Sequence, residues 1–272
     1  MKNFQYKPFH FIVITFVVTY LCWTAAAIVS GQPGGGDTFL IFLIPGMMTP
    51  TFAALWMIRS SKSKELWNSF KERIFNLRLI KPLSFIPALL IVPAAILIAT
   101  AISVATGGDP TQFQIADGFS FTVGMVPTLM IVILASIFEE LGWRGYAVDS
   151  LSSRYTYFKA TLIFAIVWSL WHIPLFFINS MYQNEIAIEN IWYAVNFILS
   201  IIPLAFIINW VYRINRNSIT AIILFHIFVN LSQEALNITQ TTKCIESGVL
   251  VVFAVIIVEM NKSLFFDKQK GL

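Results

Sequence analysis

The feature that most limits what this chain can fold into is a series of apolar runs, each about as long as a helix needs to cross a bilayer, roughly 20 residues. Eight such runs lie near 9–30, 39–58, 84–106, 120–150, 158–179, 190–212, 218–236 and 246–261. In lipid every backbone N–H and C=O must be satisfied within the protein, so runs of this kind fold as helices. The composition agrees. Of 272 residues, 57% are hydrophobic and 12% charged, where a soluble domain carries about a quarter charged residues. The expected fold class is all-α: a polytopic membrane helix bundle of about eight transmembrane helices. Residues 1–272 are expected to form a single integral-membrane domain, because each span packs against the others. Pro87, Pro93 and Pro203 fall inside runs, where membrane helices tolerate proline, usually with a kink.

The first run follows Lys2 and Lys7 and contains Ala25-Ala26-Ala27, features of a signal peptide. Its apolar character continues to Val29, which favours a retained helix. Cys22 and Cys244 are far apart and form neither a disulfide framework nor a zinc motif.

Charge sorts the linkers into two kinds. Residues 59–82 hold Arg59, Lys62, Lys64, Lys71, Arg73, Arg78 and Lys81. Arg154, Lys159, Arg213, Arg216, Lys262, Lys268 and Lys270 mark the other basic linkers and the tail. The alternate linkers, Gly31–Thr38, Gly107–Gly118, Ser180–Asn190 and Asn237–Gly248, hold Asp37, Asp109, Asp117, Glu185 and Glu189, with Lys243 the lone basic exception. The positive-inside rule therefore predicts a multi-pass protein of the cell membrane with both termini cytoplasmic. The net charge of +4 belongs to this pattern and forms no nucleic-acid-binding cluster. Within residues 63–79, Leu66, Phe70, Ile74 and Leu77 recur at helical spacing among lysines and arginines. That pattern predicts an interfacial amphipathic helix on the cytoplasmic surface.

Charges at membrane depth cost several kcal/mol and mark function by default. The fourth run holds Glu139-Glu140-Leu141-Gly142-Trp143-Arg144. Glu140 and Arg144 are four residues apart and can pair on one helix face. Glu139 is rotated about 100° away and is not offered that partner. The fifth run carries Trp168 and His172, the seventh His226 and Asn230 at i, i+4 spacing. Counted from the basic ends at about 1.5 Å per residue, Glu139, His172 and Asn230 all lie roughly 20 Å deep, and His226 roughly 14 Å. A shared polar layer predicts one cavity. The alternatives are charges solvated at the helix end and ordinary interhelical hydrogen bonds.

These motifs, Glu139-Glu140-x-x-x-Arg144, Trp168-x-x-x-His172 and His226-x-x-x-Asn230, resemble the CPBP family, the CAAX proteases and bacteriocin-processing (Abi) enzymes. The resemblance covers about residues 120–235, and tryptophan stands at 168 where the family shows phenylalanine. It implies an intramembrane endopeptidase whose site opens to the cytoplasm and whose catalytic core is about 120–235. Glu139 would activate water, His172 would position it, and His226 and Asn230 would stabilise the oxyanion. Glu140 and Arg144 would brace the site. The chemistry needs either no cofactor or a zinc ion, for which Glu139, His172 and His226 are the candidate ligands. The expected substrates are membrane-associated proteins or peptides. Prenylated proteins, leader peptides and partner membrane proteins all fit. Two other classes compete: a non-catalytic bacteriocin-immunity or scaffold protein of the same fold, and a proton- or ion-coupled transporter.

Overall fold

The computed structural model describes residues 5–33, 36–116 and 128–267. The first residues of the expected fourth span, 120–127, and Lys2, Asp117, Gly118, Lys268 and Lys270 lie outside the described residues. The described parts of the apolar runs are helical, which satisfies their backbone polar groups within each segment, as lipid requires. Among the described residues there is no strand, only an isolated antiparallel bridge between Ile115 and Leu236.

Helix α1 (Pro8–Ser30) and α2 (Leu40–Ser60) form the first hairpin. Trp23 Nε1 donates to the Leu43 carbonyl at 3.0 Å, and its indole occupies the space that Gly46, lacking a side chain, leaves open. Helix α3 (Lys64–Phe75) is the expected amphipathic helix. It is capped by Ser63, whose side chain accepts from Leu66 N at 3.1 Å. Leu66 and Phe70 are buried against the bundle. The helix stops before Leu77, which is exposed, and Arg73 is buried with the apolar face instead.

The third span is two helices, α4 (Pro82–Leu89) and α5 (Ile91–Ala105). The break follows from Pro93, which has no N–H to return to the Leu89 carbonyl. The fourth runs as α6 (Thr128–Gly142), a π-turn over Trp143–Ala147, and α7 (Val148–Ser152). Helix α8 (Tyr157–Trp171) continues into a 3-10 turn over Ile173–Phe177, where Pro174 lies, so the helical run Tyr157–Phe177 matches the expected 158–179. His172 sits inside this run, at the junction of its α-helical and 3-10 parts.

A short helix, α9 (Tyr182–Glu189), precedes α10 (Ile191–Ile214), α11 (Ile219–Gln233), α12 (Gln240–Met260) and α13 (Lys262–Phe266). The last span begins at Gln240, not near 246, because Thr239 accepts from Thr242 N and starts the helix.

Six helical runs among the described residues are long and apolar enough to cross a membrane. The other two expected spans are special. Helix α11 has 15 residues, about 22 Å of helix. The run from α6 to α7 holds Glu139, Glu140, Arg144 and Asp149. Exposed apolar side chains such as Leu21, Ile41, Trp56 and Trp192 cover the outside, as lipid-facing surfaces require. The basic linkers gather at one end, where Arg154 Nη2 donates to the Tyr6 carbonyl and Phe158 stacks on Phe266. The linkers poor in basic residues gather at the other, where Asn179 bonds to Ser30 and Ala116 to Ala235.

Candidate active site

Helices α6, α8, α10 and α11 converge on a network of buried polar groups. Glu140 and Arg144 have no exposed surface. Their i, i+4 spacing brings Arg144 Nη1 to 2.9 Å from both Glu140 carboxylate oxygens. His226 Nδ1 lies 2.8 Å from Glu140 Oε1, so one carboxylate joins α6 to α11. Arg144 Nε donates to Asn209 Oδ1 at 3.3 Å, and Asn209 Nδ2 donates to Thr161 at 3.1 Å. The guanidinium also lies 4.7 Å from the Phe164 ring and 5.2 Å from the Trp168 ring. Cation–π attraction offsets part of the cost of holding a charge here.

Glu139 takes no part in those ion pairs. Its Oε2 accepts from Trp168 Nε1 at 2.8 Å. The Trp168 carbonyl lies 2.7 Å from His172 Nδ1. A carbonyl only accepts, so His172 carries a proton on Nδ1 and, when neutral, presents a lone pair at Nε2. The Trp168 indole also meets the His226 ring edge-on, with centroids 5.7 Å apart. Asn230 Nδ2 donates to Ser136 Oγ at 3.4 Å, back on α6. All six expected site residues thus fall in one connected region.

A cavity of about 150 Å³ adjoins it. His172, His226 and Asn230 line the cavity with Trp168. Glu139 is not among the lining side chains but bonds the Trp168 indole that is. From this layer the cavity extends to Tyr182, Gln240 and Lys243, the end poor in basic residues. The expected cytoplasmic opening and the expected cytoplasmic termini therefore point to opposite ends of this bundle. The depth argument located the polar layer but could not say on which side of it the space lies.

Among the described residues no group of three His, Cys, Asp or Glu side chains is placed to hold a metal ion. Glu139, His172 and His226 share a layer without converging on one point. Each histidine has its Nδ1 engaged, by Trp168 or by Glu140, which leaves Nε2 as its open nitrogen. In this structure Glu139, His172 and His226 are not gathered into a three-ligand metal group.

Several partners escaped the sequence reading. Trp168, an aromatic residue of the motif, donates its indole N–H to Glu139. Asn209 and Ser136, single polar residues in apolar runs, bond Arg144 and Asn230. Arg73 looked like one of many linker cations. It reaches inward to pair with Asp149, donates to Tyr212 Oη at 2.6 Å, and donates to the Arg144 and Gly145 carbonyls, both at 3.1 Å. The π-turn explains the last two contacts. Its wider turn shifts the ladder of backbone bonds and leaves carbonyls available. Gly145 permits the approach, since a Cβ there would collide with Phe70. The surface helix is thereby bolted to the turn that carries Arg144.

The chain is similar in sequence to known proteins. Residues 121–232 match the family described as Type II CAAX prenyl endopeptidase Rce1-like. The matched segment contains all six site residues. A "CAAX prenyl protease 2" of Methanococcus maripaludis is 45% identical over 268 residues, covering 98% of this chain and 99% of that protein. With that identity sustained along nearly the whole length of both chains, this protein belongs to the Rce1-like CAAX prenyl endopeptidase family.

Proposed function

We propose that this chain is an intramembrane endopeptidase that hydrolyses a peptide bond near the C-terminus of prenylated, membrane-tethered proteins or peptides, with Glu139 as general base. The observation that carries the assignment is the division of labour between adjacent carboxylates. Glu140 is bound by Arg144 and His226. Glu139 accepts one bond, from a neutral indole. A carboxylate without a cationic partner retains the basicity needed to take a proton from water.

In this mechanism Glu139 removes a proton from a water oriented by His172 Nε2. The hydroxide adds to the scissile carbonyl, and the negative charge forms on the carbonyl oxygen. Asn230 donates its amide N–H to that oxygen. His226 donates from Nε2 as an imidazolium, held in that form by the Glu140 carboxylate. Donors already in position at the developing charge supply much of the rate gain. Collapse of the tetrahedral intermediate breaks the C–N bond, and the proton held by Glu139 passes to the leaving amine. Glu140 and Arg144 touch no substrate atom and act as positioning residues.

The test uses purified protein in lipid nanodiscs and a farnesylated, fluorescence-quenched peptide ending in a CaaX sequence. Cleavage by the wild type and none by Glu139→Gln, with unchanged melting, is the expected result. Full activity in Glu139→Gln would remove Glu139 from the role of base. Ion flux that depends on Glu139, with no cleavage of any peptide, would move the chain to the transporter class.

A further inference from the structure

At the end of the bundle poor in basic residues, Lys243 is the only lysine or arginine among the described residues. It lies in the cavity wall. The early start of α12 puts it there. With Gln240 as the first helical residue, Lys243, Glu246, Ser247 and Leu250 share one face and all line the cavity. The ammonium lies 4.8 Å above the Tyr182 ring and donates to Tyr182 Oη at 3.3 Å. Glu234 Oε1 is 3.6 Å away, too far for a hydrogen bond. An ammonium has three N–H donors. Neither protein contact is short, and the side chain keeps 16% of its surface exposed.

The position relative to the polar layer sets what could be bound. Gln233 on α11 donates to Glu246 on α12 at 2.5 Å, which fixes the register of the two helices. From His226 to Lys243 is then about ten residue rises along the bundle, roughly 15 Å. An extended peptide covers about 3.3–3.6 Å per residue. About four to five residues span the gap between a carbonyl beside His226 and a group bound by Lys243. Just outside Lys243, Tyr182 Oη donates to Gln240 Oε1 at 3.0 Å and ties α9 to α12. That bridge suits a peptide that stops at Lys243 better than one that continues past it.

We infer that Lys243 anchors the free C-terminal carboxylate of the substrate and so sets how far from the chain end the bond is cut. The inference rests on the endopeptidase reading of the same site and adds a specificity determinant to it. Tyr182 supports the ammonium through its ring and hydroxyl. Glu234 acts as the internal counter-ion that the substrate carboxylate displaces in part.

The test compares two prenylated peptides identical except for a C-terminal acid or amide, in nanodiscs of neutral lipid. The wild type is expected to favour the acid by about tenfold or more, through KM, as one charge-assisted hydrogen bond implies. Lys243→Gln should bring the two within about twofold, an apparent loss confined to the acid. Lys243→Arg should keep the preference, and Glu234→Gln should enlarge it. Binding of both peptides to Glu139→Gln gives the same comparison without cleavage. If no peptide is cut, the endopeptidase reading fails, and the binding ratio still judges the anchor. Equal handling of acid and amide by the wild type would overturn the inference, as would an undiminished preference in Lys243→Gln. An anionic lipid headgroup offers the same charge. Inhibition by phosphatidylglycerol that Lys243→Gln relieves, with no acid preference in the wild type, would make Lys243 a lipid site and also overturn it.

Discussion

His226 Nδ1 lies 2.8 Å from Oε1 of Glu140, the same oxygen that Arg144 Nη1 approaches at 2.9 Å. The carboxylate thus orients an imidazole on another helix while neutralising a guanidinium on its own. Glu139, next in sequence, is left to bond Trp168 on α8. The chemistry assigned to these two glutamates differs because their neighbours across the bundle differ.

Glu139→Gln should lower cleavage by about a thousandfold or more, within the range general-base catalysis contributes. Glutamine keeps the shape and still accepts the Trp168 N–H. Removing a buried charge should leave the melting temperature unchanged or raised. Cleavage and thermal unfolding are measured on the same preparation.

Glu140→Gln should behave differently. Arg144 would lose its charge partner in a site with no exposed surface. Breaking a buried pair from one side costs about 3–5 kcal/mol. Loss of folded protein in detergent should accompany loss of activity. A well-folded, fully active Glu140→Gln would refute the bracing role.

Trp168→Phe tests the departure from the family's aromatic residue. Phenylalanine keeps the ring that packs on His226 and removes the donor to Glu139. A fall of about tenfold in kcat with little change in KM is expected, the worth of one hydrogen bond to a charged group. His226→Ala and Asn230→Ala should each cost about a hundredfold through loss of an oxyanion donor. An unchanged kcat in Trp168→Phe would show that the indole N–H has no part in tuning Glu139.

Arg73→Met should release α3 from the π-turn. The variant leaves Asp149 buried without its cation, at a cost of about 3 kcal/mol. Protease cutting within 64–75 should increase, and activity should fall because the Arg144 carbonyl loses a donor. Wild-type protease resistance and melting would contradict the assigned role of Arg73.

Orientation is testable by labelling. In a background without Cys22 and Cys244, an impermeant thiol reagent applied outside should modify Thr111→Cys and spare Lys64→Cys, as the basic-residue bias predicts. The opposite pattern would put the termini outside and turn the Lys243 end of the cavity to the cytoplasm.

What the sequence determined is what local chemistry controls. Eight apolar runs dictated helices because lipid allows little else. The i, i+4 spacing dictated the Glu140–Arg144 pair, and the sorting of basic linkers to one end followed from their alternation. The amphipathic pattern within 63–79 located a surface helix, found over Lys64–Phe75, and misplaced Arg73, since period alone cannot tell that a π-turn offers carbonyls to a guanidinium. Tertiary structure alone decided the contacts between helices. Whether Glu140 meets His226, 86 residues away, depends on how α6 and α11 are rotated against each other. Whether Trp168 packs or donates depends on where Glu139 lies. Lys243 read as a loop cation until Thr239 started a helix beneath it and turned it to the cavity. Such rotations and registers are set by the packing of whole helix faces, to which every residue on the face contributes, so no short motif encodes them.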